Sequence, residues 1–429
     1  MSAKTSVPST IASTAPVPTV ESRGSWVICV TAFAITAISF AAPAITVVGL
    51  RSIAEELGGE RSVPALAYSL AWLGASFGGI PMGRAAERFG IRSTVIFGSA
   101  MIAVGLIVAQ SGGRLNLLLG YGLFVGLLGN AGINAPLYVY VTRWFDRRRG
   151  TALALLGSGS SVSAAIWAPI FVVTEAHVGW RDTMLGFAVL QFALVAPAAA
   201  LVFTRAPEIP QPTGHRHGSK PVAQVLGLKP ALAFGALCTA GFLCCVPMAM
   251  PQGHLVAFCG DMGIAPSEGA AMLSVLLGCA FVSRQFWGFL ADRIGGPRTI
   301  LVGSACQITA MIGFLLTRNE SGLFAVAAWF GLGFSGIIPA YVLAVRELFP
   351  ASEASWRVPG VLLFTGSGMA FGGWFAGAIY DAVGFYAAAF AAGIVFNLAH
   401  LTVIGALVWR QHRATSRSGW PGAGERITD

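Results

Sequence analysis

The 429-residue chain is 55% hydrophobic and 10% charged, with a mean hydropathy of +0.72 and 54 glycines. Soluble domains carry about 25% charged residues and about 7% glycine, so this balance excludes a water-soluble enzyme, a disordered chain and a nucleic-acid-binding module. The net charge of +9 is dispersed between apolar runs, which is a pattern of membrane topology and not of a basic binding patch.

Residues 1–25 are rich in Ser, Thr and Pro and lack an apolar segment, so they read as a disordered cytoplasmic tail with no cleavable signal. Crossing a bilayer takes about 20 apolar residues. Twelve such runs follow, at 26–50, 62–82, 92–110, 115–141, 151–174, 182–204, 229–255, 268–290, 298–317, 322–345, 358–380 and 384–409. The fold class is therefore an all-α membrane protein of twelve transmembrane helices. The polar stretch 205–228 divides it into two six-helix bundles, 26–204 and 229–409, and leaves 410–429 as a second tail. With both termini in the cytoplasm, 21 of the 27 Lys and Arg lie on the inner side, 5 on the outer side and Arg284 within a span. That asymmetry obeys the positive-inside rule for a multi-pass cell-membrane protein, with a bacterial inner or plasma membrane expected.

The halves repeat. Gly83-Arg-Ala-Ala-Glu87-Arg88-Phe-Gly90 recurs 205 residues on as Gly288-Phe-Leu-Ala-Asp292-Arg293-Ile-Gly295, and Val178-Gly179-Trp180 recurs at the same offset as Val383-Gly384-Phe385. Transporters built from such halves bind substrate near the bilayer midplane, between them. The seven cysteines lie in or beside apolar runs without metal-ligand spacing, so no metal, cofactor or disulfide framework is expected.

Arg284 is the outstanding single residue. A charge inside a span costs a few kcal/mol and marks function by default. Its planar fork of donors matches a carboxylate. No Asp or Glu lies mid-span to pair with it. His254, after Pro247 and Pro251 in span 7, sits on a helix that two prolines should kink, which makes it a candidate gate residue able to titrate near neutrality.

Twelve spans, a central loop and the paired glycine-acid-Arg loops resemble the major facilitator superfamily. Within it, several stretches are similar to the monocarboxylate transporter and oxalate/formate antiporter branch. They are Trp26-Val27, Phe40-Ala-Ala-Pro43-Ala44-Ile-Thr46-Val47, Trp144-Phe145-Asp-Arg147-Arg148-Arg149-Gly150, His254-Leu255-Val256 with Asp261-Met-Gly263, and Arg284-Gln-Phe-Trp-Gly288. The resemblance implies a secondary transporter for a small organic monocarboxylate, working by alternating access, with Arg284 holding the substrate carboxylate. It also implies that Tyr68, Asn134, Tyr138, Tyr341 and Phe364 lie on cavity-lining helices. Gly83, Glu87, Arg88, Gly288, Asp292 and Arg293 would then form a cytoplasmic latch. Two family residues are missing: Ala44 stands where animal monocarboxylate transporters have Lys, and Ala280 where they have Asp. Protons or a counter-anion are the expected coupling partners, and any proton coupling would then run through the substrate, His254 or water. Span 11 lacks the Lys of oxalate antiporters, which disfavours that alternative. A broad-specificity efflux transporter is disfavoured by the lack of an embedded acid. The functional unit is expected to be a monomer in the lipid bilayer.

Overall fold

The computed structural model describes residues 21–145, 148–204, 225–350 and 353–417. Most of the first tail and of the central loop, Arg147, and the end of the last tail lie outside the described residues. Helices α1 (Arg23–Ser39), α2 (Ala42–Val48) and α3 (Leu50–Glu56) form one broken crossing, followed by α4 (Ser62–Phe89) and α5 (Ile91–Gln110). Next come α6 (Arg114–Leu119), a π-helical segment (Gly120–Asn130), α7 (Ala131–Thr142) and α8 (Arg149–Val202). The second half comprises α9 (Pro230–Asp261), α10 (Pro266–Ile294), α11 (Gly296–Leu316), α12 (Glu320–Phe334), α13 (Ile337–Leu348), α14 (Ala354–Val383) and α15 (Tyr386–Arg417).

Local chemistry explains several boundaries. Ser22 and Ser25 cap α1 reciprocally, each side chain meeting the other's backbone N–H at 3.2 Å. Pro43 cannot donate to the preceding turn, so the chain breaks at Phe40–Ala41 and restarts as α2 with Pro43 in its first turn. Eleven stretches of the described residues are long and apolar enough to cross a membrane. One of them, Thr151–Val202, is broken at Gly179 (φ 82°), so it makes two crossings and the total is twelve. Gly90 and Gly295, equivalent in the sequence repeat, share one conformation (φ 86°, ψ 154° and φ 84°, ψ 162°) that residues with a Cβ avoid. The repeated loop motif thus encodes one repeated backbone turn.

Buried apolar residues gather into two cores. One lies almost wholly in α1–α8 and the other mainly in α9–α15. The halves meet along α4 against α14 and α8 against α10. Glycine makes the first contact close. A Cβ on Gly366, Gly373 or Gly377 would lie 2.6, 2.9 or 2.9 Å from Ser76 Oγ, Ser69 Oγ or Ser62 Cα respectively. Small residues at helix interfaces allow this approach where lipid offers no hydrophobic drive for association.

Candidate functional site

Arg284 reaches across from α10 to the other half. Its Nη1 donates to Gly157 O at 2.8 Å and its Nη2 to Ser161 Oγ at 3.3 Å, both on α8, while Nε meets no acceptor. No ion pair engages it among the described residues. Tyr138 shares the same spot: a Cβ on Gly157 would lie 2.6 Å from Tyr138 Oη and 3.8 Å from Arg284 Nη1. Gly157 therefore leaves the room in which a guanidinium from one half and a phenol from the other converge.

Ser161 also lines a small cavity of about 60 Å³ between the halves, space for a few waters. Its walls include Phe40, Pro43 and Ala44 from the first crossing, Tyr68 and Trp72 from α4, and Gln252 from α9. One wall is thus the Pro43 break, where a helix gives up regular backbone beside a cavity.

The remaining sequence-selected residues scatter. Asn134 lies one turn before Tyr138 on α7 and is half-buried. Tyr341 is fully buried in the second core, with its Oη 2.9 Å from His400 Nε2, while His400 Nδ1 lies 2.7 Å from Ser304 Oγ. The expectation that Tyr341 lines the cavity is corrected: it lies on the buried face of α13, with Ile337, Ala340, Ala344 and Val345, and the sequence did not say that this face packs on the second core and not on the cavity. Phe364 is 46% exposed on α14 and takes no part in the cavity wall.

The two faces of the molecule differ sharply. On the face bearing Gly90 and Gly295, the selected charges Glu87, Arg88, Asp292 and Arg293 are all exposed. Arg88 stacks on Phe89 and Arg293 on Phe289, each within its own helix. A Cβ on Gly83 or Gly288 would meet nothing within 4 Å. Among the described residues no ion pair bridges the halves there.

On the opposite face they are tied. Arg61 Nη1 and Nη2 donate to Asp261 Oδ2 and Oδ1, both at 2.6 Å. Asp381, at the end of α14, accepts from the backbone N–H groups of Arg61 (2.8 Å) and Ser62 (2.9 Å), so one half caps the first turn of a helix in the other. The Arg61 guanidinium lies 3.8 Å from the Tyr380 ring centroid and 5.4 Å from that of Tyr386. His254 joins this cluster from below. It is 1% exposed, with Nε2 2.8 Å from Gly373 O and Nδ1 3.0 Å from Tyr386 Oη. A neutral ring satisfies both contacts, donating to the carbonyl and accepting from the phenol. His254 is a buried brace of this closed face.

Beyond these ties, Glu56 accepts from Trp180 Nε1 (2.7 Å) and Arg181 Nε (2.9 Å) inside the first half. The Arg181 hydrogen bond holds the Glu56 carboxyl below its usual range.

Comparison with known proteins fits this architecture. Residues 25–355 match the family model of the Major Facilitator Superfamily. The chain belongs to that superfamily. It is 29% identical to "Monocarboxylate transporter 13" of Bos taurus over 327 residues, covering 75% of each chain. It is 21% identical to the "Uncharacterized MFS-type transporter YcxA" of Bacillus subtilis, covering 69% of this chain and 74% of that one. A solved bacterial homolog of the human lysosomal transporter Spinster, in an inward-facing and occupied conformation, aligns with TM-score 0.67 at 17% identity over 92% of this chain and 98% of that chain. A nucleoside transporter aligns with TM-score 0.69 at 13% identity over 89% and 99%. The protein is a non-enzymatic membrane transporter of this superfamily.

Sequence reasoning missed Arg61, Asp261 and Asp381 as a set. Asp261 had been noted only as part of a motif, and nothing local says that charges 200 and 320 residues apart meet. It also missed Glu175, because ending the fifth span at 174 left this residue outside. In the structure it continues α8 within the fold.

Proposed function

We propose that this transporter moves a small organic monocarboxylate by alternating access, with Arg284 binding the carboxylate. The supporting observation is the guanidinium itself: mid-helix, bridging both halves, engaged among the described residues by a carbonyl and a hydroxyl alone, with Nε unspent. A neutral partner set leaves the positive charge uncompensated, and a substrate carboxylate supplies the missing counter-charge in bidentate geometry. Tyr138 adds a hydroxyl at the same point, and the apolar wall of Phe40, Pro43 and Trp72 suits a short carbon tail. The likeness to a protein named monocarboxylate transporter 13 agrees with this chemistry.

The single cation defines selectivity. A second carboxylate would enter unpaired, and desolvating an unpaired charge is strongly unfavourable, so monocarboxylates should outcompete oxalate. The termini and the Gly90/Gly295 loops face the cytoplasm in this reading, by the Lys and Arg asymmetry. The described conformation is then closed outside and parted inside. The test is uptake of labelled lactate and pyruvate by reconstituted vesicles, with unlabelled oxalate as competitor. Arg284→Ala and Arg284→Lys should each lose most transport while folding and inserting normally. Near-wild-type uptake by the alanine variant, or stronger competition by oxalate than by pyruvate, overturns the reading.

A further inference from the structure

One titratable group takes no part in the carboxylate site or the ion-pair latch. Glu175 lies one turn before the Gly179 corner of α8, so it sits near the latched face. It is 18 residues from Gly157, about 27 Å along the helix, so it is no counter-ion for Arg284. Its carboxylate packs on the break between α2 and α3. A Cβ on Gly49 would lie 2.7 Å from Oε2 and 3.0 Å from Oε1. Glycine at 49 makes the space that the carboxylate fills. Oε1 is shut off from solvent and has no hydrogen-bond partner.

The neighbouring titratable groups are committed elsewhere. Tyr121 Oη donates to Ala42 O. On α3, Glu56 holds Trp180 and Arg181, and Arg51 Nε lies 3.9 Å from Asp261, while Glu55 is exposed. On α8 itself, Arg181 is paired with Glu56, Asp182 is exposed, and the exposed His177 lies 2.7 Å from Val173 O through Nδ1. From α1, Arg23 and Cys29 lie at the far end, as does Arg92 of α5, and α2 has no ionisable side chain. On α7, Tyr138 and Tyr140 lie toward the opposite face, and from α10 come Glu268, in its exposed first turn, and Arg284 at the substrate site. Among the described residues no cation forms an ion pair with Glu175.

We propose that Glu175 is a proton-binding site, loaded from external water, whose protonated form favours the externally closed state. The proposal rests on the orientation given above. A half-buried carboxylate with one oxygen shut away from water and unpartnered is accommodated better as the neutral acid than as the anion. The α2–α3 junction ties the group to the latch, because Arg51, two residues beyond Gly49, faces Asp261, and α2 and α3 both pack on α9 of the other half. When the halves part outside, this junction moves with the first half and water reaches Oε1 as well. The proton on the acid then passes to external water, leaving the anion, and closure requires a proton to return to the same oxygen. By linkage, a proton that binds the closed state more tightly shifts the population towards it.

The test uses a reporter that needs no substrate. Ala65 is buried at the α4–α14 contact, 3.1 Å from where a Cβ on Gly377 would sit, and becomes accessible only when the outer face opens. Labelling of Ala65→Cys by a membrane-impermeant maleimide is followed in intact cells, against the parent protein, between about pH 8 and about pH 5 outside, each rate being divided by that of the same cysteine in denatured protein at the same pH, which removes the thiolate's own pH dependence. With Glu175 present, labelling should slow about tenfold as the medium is acidified, the shift given by one pH unit of difference in proton affinity between states. Glu175→Gln, an isosteric neutral mimic of the acid, should label slowly at every pH. Glu175→Ala, a second neutral variant, should also lose the dependence. A flat profile with Glu175 intact, or a pH-dependent one in a correctly inserted Glu175→Gln protein, overturns the proposal. Carboxylate uptake in parallel separates the two readings: absent uptake with an intact Glu175-dependent profile removes the substrate assignment alone.

Discussion

The two faces of this transporter carry the same kind of residue and put it to opposite use. On one, Arg88 and Arg293 are exposed and stack on aromatic rings of their own helices; on the other, Arg61 is clamped between Asp261 and two tyrosines of the far half. Charge content alone therefore predicts neither closure nor opening. What distinguishes the faces is whether each charge finds its partner across the divide and out of water, where the attraction is less screened.

Breaking the closed face should give the largest effect. Asp261→Ala strands Arg61, whose side chain is 10% exposed. Removing one partner of a buried, hydrogen-bonded pair costs about 2–5 kcal/mol, so, under the proposed alternating access, the population closed at this face should fall at least about 30-fold. Faster labelling of Ala65→Cys reads that shift directly, and an unchanged rate would mean that the glycine seam, not the ion pair, holds the face shut. Asp381→Ala removes the cap from α4 and should cost about 1 kcal/mol of the same equilibrium, visible as a several-fold smaller change in the same assay.

Glu56→Gln sharpens the contrast, because its bonds stay within one half. It should lower thermal stability slightly, by no more than about 1 kcal/mol for so exposed a pair, and leave Ala65→Cys labelling unaltered. The sign with pH follows from its lowered proton affinity. The contribution is present above the unfolded carboxyl's titration and is lost as pH falls through the folded one. Wild type and variant should converge in melting temperature once the pH lies below the folded carboxyl's lowered titration. The smallest effect on this state belongs to the face bearing Gly90 and Gly295. Asp292→Asn and Arg88→Ala lose no cross-half partner here, so melting should shift by less than about 0.5 kcal/mol. If these residues latch the alternate state, turnover slows while substrate affinity changes much less.

Composition and spacing carried the architecture because lipid leaves few choices: a run of about 20 apolar residues must be a helix. Gly90 and Gly295 were readable as a pair because a repeated motif demanded one repeated turn. Arg284 was readable because a lone charge in a span has no ordinary explanation. Orientation about a helix axis was not. Tyr341 and Tyr138 both occur on apolar helices, and only packing shows that one faces His400 and the other the guanidinium. The Arg61 latch was hidden for another reason: charges in loops are commonplace, and their meeting depends on how two halves dock.

If the halves part as proposed, the cap that Asp381 places on α4 makes secondary structure itself a readout of the transport cycle. Both accepting oxygens belong to the far half, so the first turn of α4 keeps its protein acceptors only while this face is closed. On opening, the amides of Arg61 and Ser62 lose those acceptors and turn to water. Their hydrogen-exchange rates should then track the conformational equilibrium in the unmodified protein, on timescales that no engineered probe perturbs.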